Sequence, residues 1–214
     1  MPERAGRAAA QGRELRAAIL AAARESFAEQ GVRAPMDDIA RRAGVGVATL
    51  YRRFPDRDAL LRAVTADAAA HLGALARDAL AEEPDAWSAL ARLVRRCTEI
   101  RMGVLLAGLR RPQQLALLDD EAVRRGRREL VEQLERIVGA AQAEGSLRPD
   151  VGVGDLAVVI GQLIRPVTGV ADDATREQAT RRLVEVTLAG LRACAGPPLP
   201  GEPLGVAAIA DVDG

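Results

Sequence analysis

The side chains of this chain that are grouped to do chemistry are hydrogen-bond donors, and they cluster in one short run. Thr49, Tyr51, Arg52 and Arg53 stand together in Val47–Phe54, with Arg57 shortly after. On a helix lying in the major groove, an arginine can donate two hydrogen bonds to guanine O6 and N7, and a small methyl can meet the thymine methyl. Arg52 and Thr49 suit base edges in this way, with Val47 and Ala48 beside them as apolar contacts. Tyr51 and Arg53 suit phosphate oxygens, the phenol as a neutral donor, and Arg57 is placed to clamp the same strand. Plainer readings stand next to these. Tyr51 can belong to the core with Leu50 and Phe54, and Arg52-Arg53 can be a solvated face.

Other chemistry has little to work with. The chain has one histidine, His71, best read as a surface residue, and two cysteines, Cys97 and Cys194, far apart in sequence. There is no glycine-rich phosphate loop and no cluster with metal-ligand spacing, so no catalytic site, metal or cofactor is expected.

The elements that must hold the donors follow from periodicity. Leu15, Ile19, Ala23 and Phe27 recur every four residues and predict a first helix over 12–30, stopped at Gly31. Met36, Ile39, Ala40 and Ala43 form one face of a short second helix, with Pro35, Asp37 and Asp38 suited to its start. Gly44-Val45-Gly46 breaks it, and a third helix restarts at Val47 with Leu50 and Phe54 inward. Two short helices across a glycine-containing turn make a helix-turn-helix at residues 34–54.

Charge is distributed to match. Formal net charge is zero, yet residues 1–62 hold 12 arginines against 8 acidic residues, and the rest of the chain is acidic in balance. No lysine occurs anywhere, so each basic contact is a guanidinium, although a GC-rich genome gives the same bias without selection.

Further helices are expected over about 56–80, 85–109, 119–144, 156–167 and 174–195, with no internal repeat. The aromatic content of 2% leaves the core to aliphatic residues and alanine, which suits packed helices. Residues 1–12 read as a loose basic arm, and residues 196–214, rich in proline and glycine, as a disordered tail. No signal-peptide pattern or membrane-length apolar run is present, which points to a cytoplasmic protein.

The run Ile39-Ala40-Arg41-Arg42-Ala43-Gly44-Val45, then Thr49-Leu50-Tyr51-Arg52-Arg53-Phe54 and Asp58-Ala59-Leu60-Leu61, resembles the DNA-binding domain of the tetracycline-repressor (TetR) family. The likeness extends upstream through Ile19–Gly31 and covers about residues 13–62. It implies an all-α fold: a three-helix reading head joined to a helical bundle, over 63–195, for ligand binding and dimerisation. It implies a homodimeric repressor, released from a palindromic double-stranded operator by a small-molecule inducer. By position it assigns DNA contacts to Tyr51, Arg53 and Arg57. The chain departs from the family pattern at Pro35, Gly46 and Val47, where a hydroxyl residue, a serine cap and a lysine are usual. Base reading is then left more to Arg52.

In the larger part, Trp87, Arg101, Met102, Leu105, Leu106 and Leu109 are the candidate lining of an apolar ligand pocket, with plain core as the alternative. Arg95, Arg96, Arg101 and Arg110 can anchor an anionic ligand if one turns inward, and Arg124, Arg125, Arg127 and Arg128 read as an exposed helix face. Leu156, Ile160, Leu163 and Ile164, with Leu183, Val186 and Leu191, are the candidate dimer interface, against the alternative of an internal bundle core. The competing functions are an activator, a regulator without a ligand, an enzyme on a helical scaffold, and a helical protein-interaction module.

Overall fold

The computed structural model describes residues 2–99, 116–165, 167, 169–193 and 196–208, and among them the secondary structure is helical apart from a single isolated bridge. Eight α-helices are described: α1 (Pro2–Gln30), α2 (Met36–Arg42), α3 (Val47–Arg53), α4 (Arg57–Glu82), α5 (Ala86–Glu99), α6 (Glu121–Ala143), α7 (Val153–Leu163) and α8 (Asp173–Leu191). A 3₁₀ turn, Val206–Ala208, closes the described chain. Among the described residues, no helix is long and apolar enough to cross a membrane.

Aspartates cap half of the described helices. Asp56, Asp85, Asp120 and Asp172 each accept a backbone N–H from the first turn of α4, α5, α6 and α8, at 2.6 to 3.0 Å. Each carboxylate satisfies a donor that the helix cannot pair internally, beside the positive end of the helix dipole. The short helices α2 and α3 differ, since Pro35 and Gly46 at their N-caps make no side-chain cap bond.

The chain folds as two compact units. The first comprises Met1–Asp67 with the described part of Val104–Val123; the second comprises the described residues of Ala68–Gly103 and Arg124–Gly214. The first unit therefore runs a few residues past the expected boundary at 62. Its core is built on Ile19, Phe27, Ile39, Leu50, Leu60 and Val64, all fully buried, with Leu117 added from the later segment. Burying each such aliphatic or aromatic side chain is worth about 1.5–3 kcal/mol. The second core gathers Leu90, Leu93 and Val94 of α5, Leu134 and Ile137 of α6, Leu156 of α7 and Val184 and Leu188 of α8.

Two expectations are corrected at the chain ends. The segment taken for a loose arm is helical from Pro2, continuing α1. The tail taken for disordered is anchored through residues 197–204 by hydrogen bonds to Arg148, Asp150, Gly154 and Asp155. Proline and glycine content alone does not register such partners.

Candidate nucleic-acid interface

The helix-turn-helix is made by two left-handed glycines and one plug. Gly31 ends α1 at φ +78, its N–H donating to the Phe27 carbonyl at 2.9 Å. Gly44 lies at φ +68 after α2, and the Val45 N–H reaches back to the Ala40 carbonyl at 2.9 Å, the longer bond of a Schellman stop. A side chain at either glycine would be strained, because L-residues disfavour that region. The chain is then extended at Gly46 and α3 begins. Leu50 is the only buried residue of α3, and it inserts into the core of the first unit.

Everything else on α3 is turned outward or half outward. Val47 is 37% exposed and Tyr51 45% exposed, while Ala48, Arg52 and Arg53 are exposed and Thr49 is half-buried. Tyr51 is therefore not a core residue. Arg52 Nη2 donates to Thr49 Oγ1 at 3.4 Å, so the two residues expected to read bases sit one turn apart on one face. Arg53 lies against α1, where a Cβ added to Gly12 would come within 3.3 Å of its Nη2. Arg16 of α1 stacks over the Phe54 ring at 5.2 Å. These contacts brace the C-terminal end of α3 on α1.

Arg57 takes a different post from the one expected of it. Its Nη1 donates to the Val32 carbonyl at 3.2 Å and also to the Ala34 carbonyl. The guanidinium thus ties the α1–α2 loop to the start of α4. Arg42 is similarly occupied: its Nη1 meets Glu29 at 2.8 Å and Glu25 at 3.2 Å, clasping α2 to α1. Those two carboxylates raise its pKa well above the usual arginine range. Sequence reading does not single out Arg16 or Arg42 for these roles. For Arg42 the available signal is Glu25 and Glu29, which are one helical turn apart on α1.

In the second unit the predicted residues divide. Trp87 is buried in the core, and the Arg192 guanidinium covers its ring at 4.5 Å. Arg101, Met102, Leu105, Leu106, Leu109 and Arg110 lie outside the described residues. Arg95 is exposed and paired with Glu185 of α8 at 2.7 and 3.0 Å, so it does not turn inward. Arg125 and Arg128 are exposed, but Arg124 and Arg127 are half-buried, and burial lowers the Arg127 pKa. His71 is exposed on α4.

The candidate dimer residues also separate into two sets. Leu156, Leu163 and Leu191 belong to the unit's own core, and Ile160 and Ile164 pack partly against it. For Leu156, Leu163 and Leu191 the expected interface is corrected, since they are buried within one chain, whereas Ile160 and Ile164 are half-buried. Leu183 and Val186 remain outward, 45% and 66% exposed, joined by Val158 of α7 at 46%, which sequence reading does not pick out. An apolar stripe shows that a helix buries a face; it does not say which neighbour covers it.

A short helix anchored by one leucine, carrying a tyrosine, a threonine and arginines outward after a glycine turn, defines a helix-turn-helix DNA-binding protein with a separate helical unit. The family models agree. Residues 19–64 match the model described as bacterial regulatory proteins, tetR family, and residues 85–193 match the SbtR-like transcriptional regulator C-terminal domain. A TetR transcription regulatory protein from Mycobacterium vanbaalenii is 31% identical, with 86% of this chain and 98% of that one covered and a TM-score of 0.62. A TetR transcriptional regulator from Streptomyces coelicolor is 29% identical over 84% of this chain and 99% of its own, with a TM-score of 0.63. The ketosteroid transcriptional regulator KstR2 of Mycobacterium tuberculosis, 20% identical over 83% of this chain and 94% of its own with a TM-score of 0.57, shares the fold. A search among curated proteins returns no match. This chain belongs to the TetR family of DNA-binding transcriptional regulators.

Proposed function

We propose that the protein is a homodimeric repressor that grips a palindromic operator with two copies of α3 and is released by a small molecule bound in the second unit. The observation that carries the reading is α3 itself, a helix whose one buried residue is Leu50 and whose outward face presents Val47, Ala48, Thr49, Tyr51, Arg52 and Arg53. Thr49 and Arg52 discriminate bases, while Tyr51 and Arg53 hold phosphates. Self-association through α7 and α8 is supported by Val158, Leu183 and Val186, which are large apolar side chains left exposed. The candidate ligand-lining residues remain Arg101, Met102, Leu105, Leu106 and Leu109, beyond the end of α5. The protein acts in the cytoplasm by binding alone, without catalysis or a cofactor.

Selection of bound sequences from random duplexes, followed by binding of single variants, tests this. Arg52→Ala should change the preferred sequence and cost about 10- to 100-fold on the wild-type site, the worth of one bidentate base contact. Tyr51→Ala and Arg53→Ala should weaken binding to all sequences alike, and Arg53→Ala should reduce the dependence on salt. Unchanged binding in all three variants would remove α3 from the interface.

A further inference from the structure

The residues at the start of α7 form a cradle shaped for a passing backbone. Gly152 is its N-cap, and Gly154 follows in the first turn. A Cβ on Gly152 would run into the Leu204 carbonyl oxygen, and one on Gly154 would lie 2.6 Å from the carbonyl oxygens of Leu204 and Gly205. Two carboxylates flank the cradle. Asp155 Oδ2 accepts the Gly152 N–H at 2.8 Å, as in a capping box, and also the Leu204 N–H at 3.1 Å. Asp150 Oδ2 accepts the Leu199 N–H at 2.7 Å. In return the Gly154 N–H donates to the Leu204 carbonyl at 2.7 Å, and Arg148 Nη2 donates to the Pro197 carbonyl at 3.0 Å.

The two carboxylate latches share one register. Each spans 49 residues of chain, and each takes the N–H of a leucine that follows a proline, Pro198-Leu199 and Pro203-Leu204. The proline fixes the local backbone and has no N–H of its own, so the next N–H is the one presented. Leu199 and Leu204 themselves stay 44% and 40% exposed, so the backbone rather than the leucine side chain is what the cradle holds. Arg148 is bidentate to Asp150 at 2.9 and 2.8 Å, which fixes that carboxylate for its second partner. Arg148 and Leu199 together hold the Asp150 carboxyl well below the usual range.

We propose that Asp150–Asp155 is a main-chain recognition groove for a Pro-Leu segment, occupied in cis by the chain's own tail, Pro197–Gly205. The tail completes the N-terminal cap of α7, whose Gly152 offers no side chain to do so. The groove is complete within one chain, and a peptide of tail sequence fills it in trans once the covalent copy is removed. The proposal goes beyond DNA reading and holds whether or not two copies pair.

Hydrogen exchange on the intact protein is the first test. The Leu199, Leu204 and Gly154 amides should exchange far more slowly than coil amides, whereas coil-like exchange at Leu199 and Leu204 overturns the groove. The second test is a reversal of sign. In the full chain, Gly154→Ala should lower the melting temperature, because the new methyl strikes the tail. In a chain ending at Ala195, the same change should raise it by roughly 1–4 °C, the ordinary gain of alanine over glycine in a helix. The same sign in both backgrounds overturns the proposal. Finally, a labelled peptide of residues 196–208 should bind the shortened chain, and neither the full chain nor a shortened chain carrying Asp155→Asn. Absence of binding to the shortened chain rejects the trans claim. If that chain does not fold, exchange in the full chain and its response to Gly154→Ala still decide.

Discussion

Arg57 offers the sharpest test of how the reading head is held together. Its position suits a phosphate contact, yet its guanidinium donates to the Val32 and Ala34 carbonyls. A hydrogen bond involving a charged group contributes about 1.5–3 kcal/mol, and water replaces part of that at a half-buried site. Removing the pair with Arg57→Ala should therefore cost about 2 kcal/mol, which for a chain of this length lowers the melting temperature by roughly 4–8 °C. Arg57→Lys keeps the charge, but its ammonium ends one bond short of Nη1, the single atom that meets both carbonyls, so it should recover less than half of the loss. Calorimetry of the three proteins reads the stability, and operator titrations at several salt concentrations read the phosphate role. A scaffold arginine leaves the slope of log affinity against log salt unchanged once folded protein is compared. The reasoning is refuted if Arg57→Ala melts within about 1 °C of the parent and instead loses close to one unit of slope per subunit, the mark of a lost phosphate contact.

Three further outcomes are expected. Val186→Glu places a charge on a side chain that is 66% exposed, so sedimentation should show a dimer for the parent and a folded monomer for the variant; an undiminished dimer would move the interface elsewhere. Burial pushes the Cys97 thiol up to about 12, so in a Cys194→Ser chain a thiol reagent at pH 8 should modify Cys97 no faster than the protein unfolds, and prompt reaction would contradict its burial. Asp150, chiefly through Arg148, and Asp85 and Asp172, chiefly through backbone hydrogen bonds, have carboxyl pKa values below their ordinary range. A depressed folded pKa stabilises the protein above the unfolded value of about 4, and that contribution is lost as pH falls through the folded value. The melting temperature should thus drop between pH 5 and pH 2, less steeply in Asp150→Asn, and equal slopes would argue against that carboxylate.

The helix-turn-helix was legible because its determinants are local. Glycine stops at Gly31 and Gly44 and four-residue spacing from Leu15 to Phe27 act within a turn or two of the chain, and Leu50 marks the inward face of α3. What escaped the sequence depends on distant partners. The carbonyls that engage Arg57 lie 25 and 23 residues upstream, and the carboxylates that hold the tail lie 49 residues before it. A composition rich in proline and glycine describes how a segment behaves alone, and so predicts disorder for a tail that distant carboxylates hold. Leu156, Leu163 and Leu191 look the same in sequence as Leu183 and Val186, because all are aliphatic on amphipathic helices. Only packing separates those that meet α5 and α6 from those left open to another molecule.

The single inward residue of α3 has a consequence for how such a regulator changes over time. The turn is set by Gly31 and Gly44 and the bracing on α1 by Arg16 and Arg42, with Arg53 the one residue of α3 that joins it, and Leu50 alone seats the helix in the core. On the proposed reading of α3, substitutions at the exposed Val47, Ala48 and Arg52 alter the preferred site while leaving the fold's stability nearly untouched. On the proposed reading, base discrimination and architecture are written in separate residues, so a duplicated copy of the gene could acquire a new target through few changes, without first passing through an unstable protein.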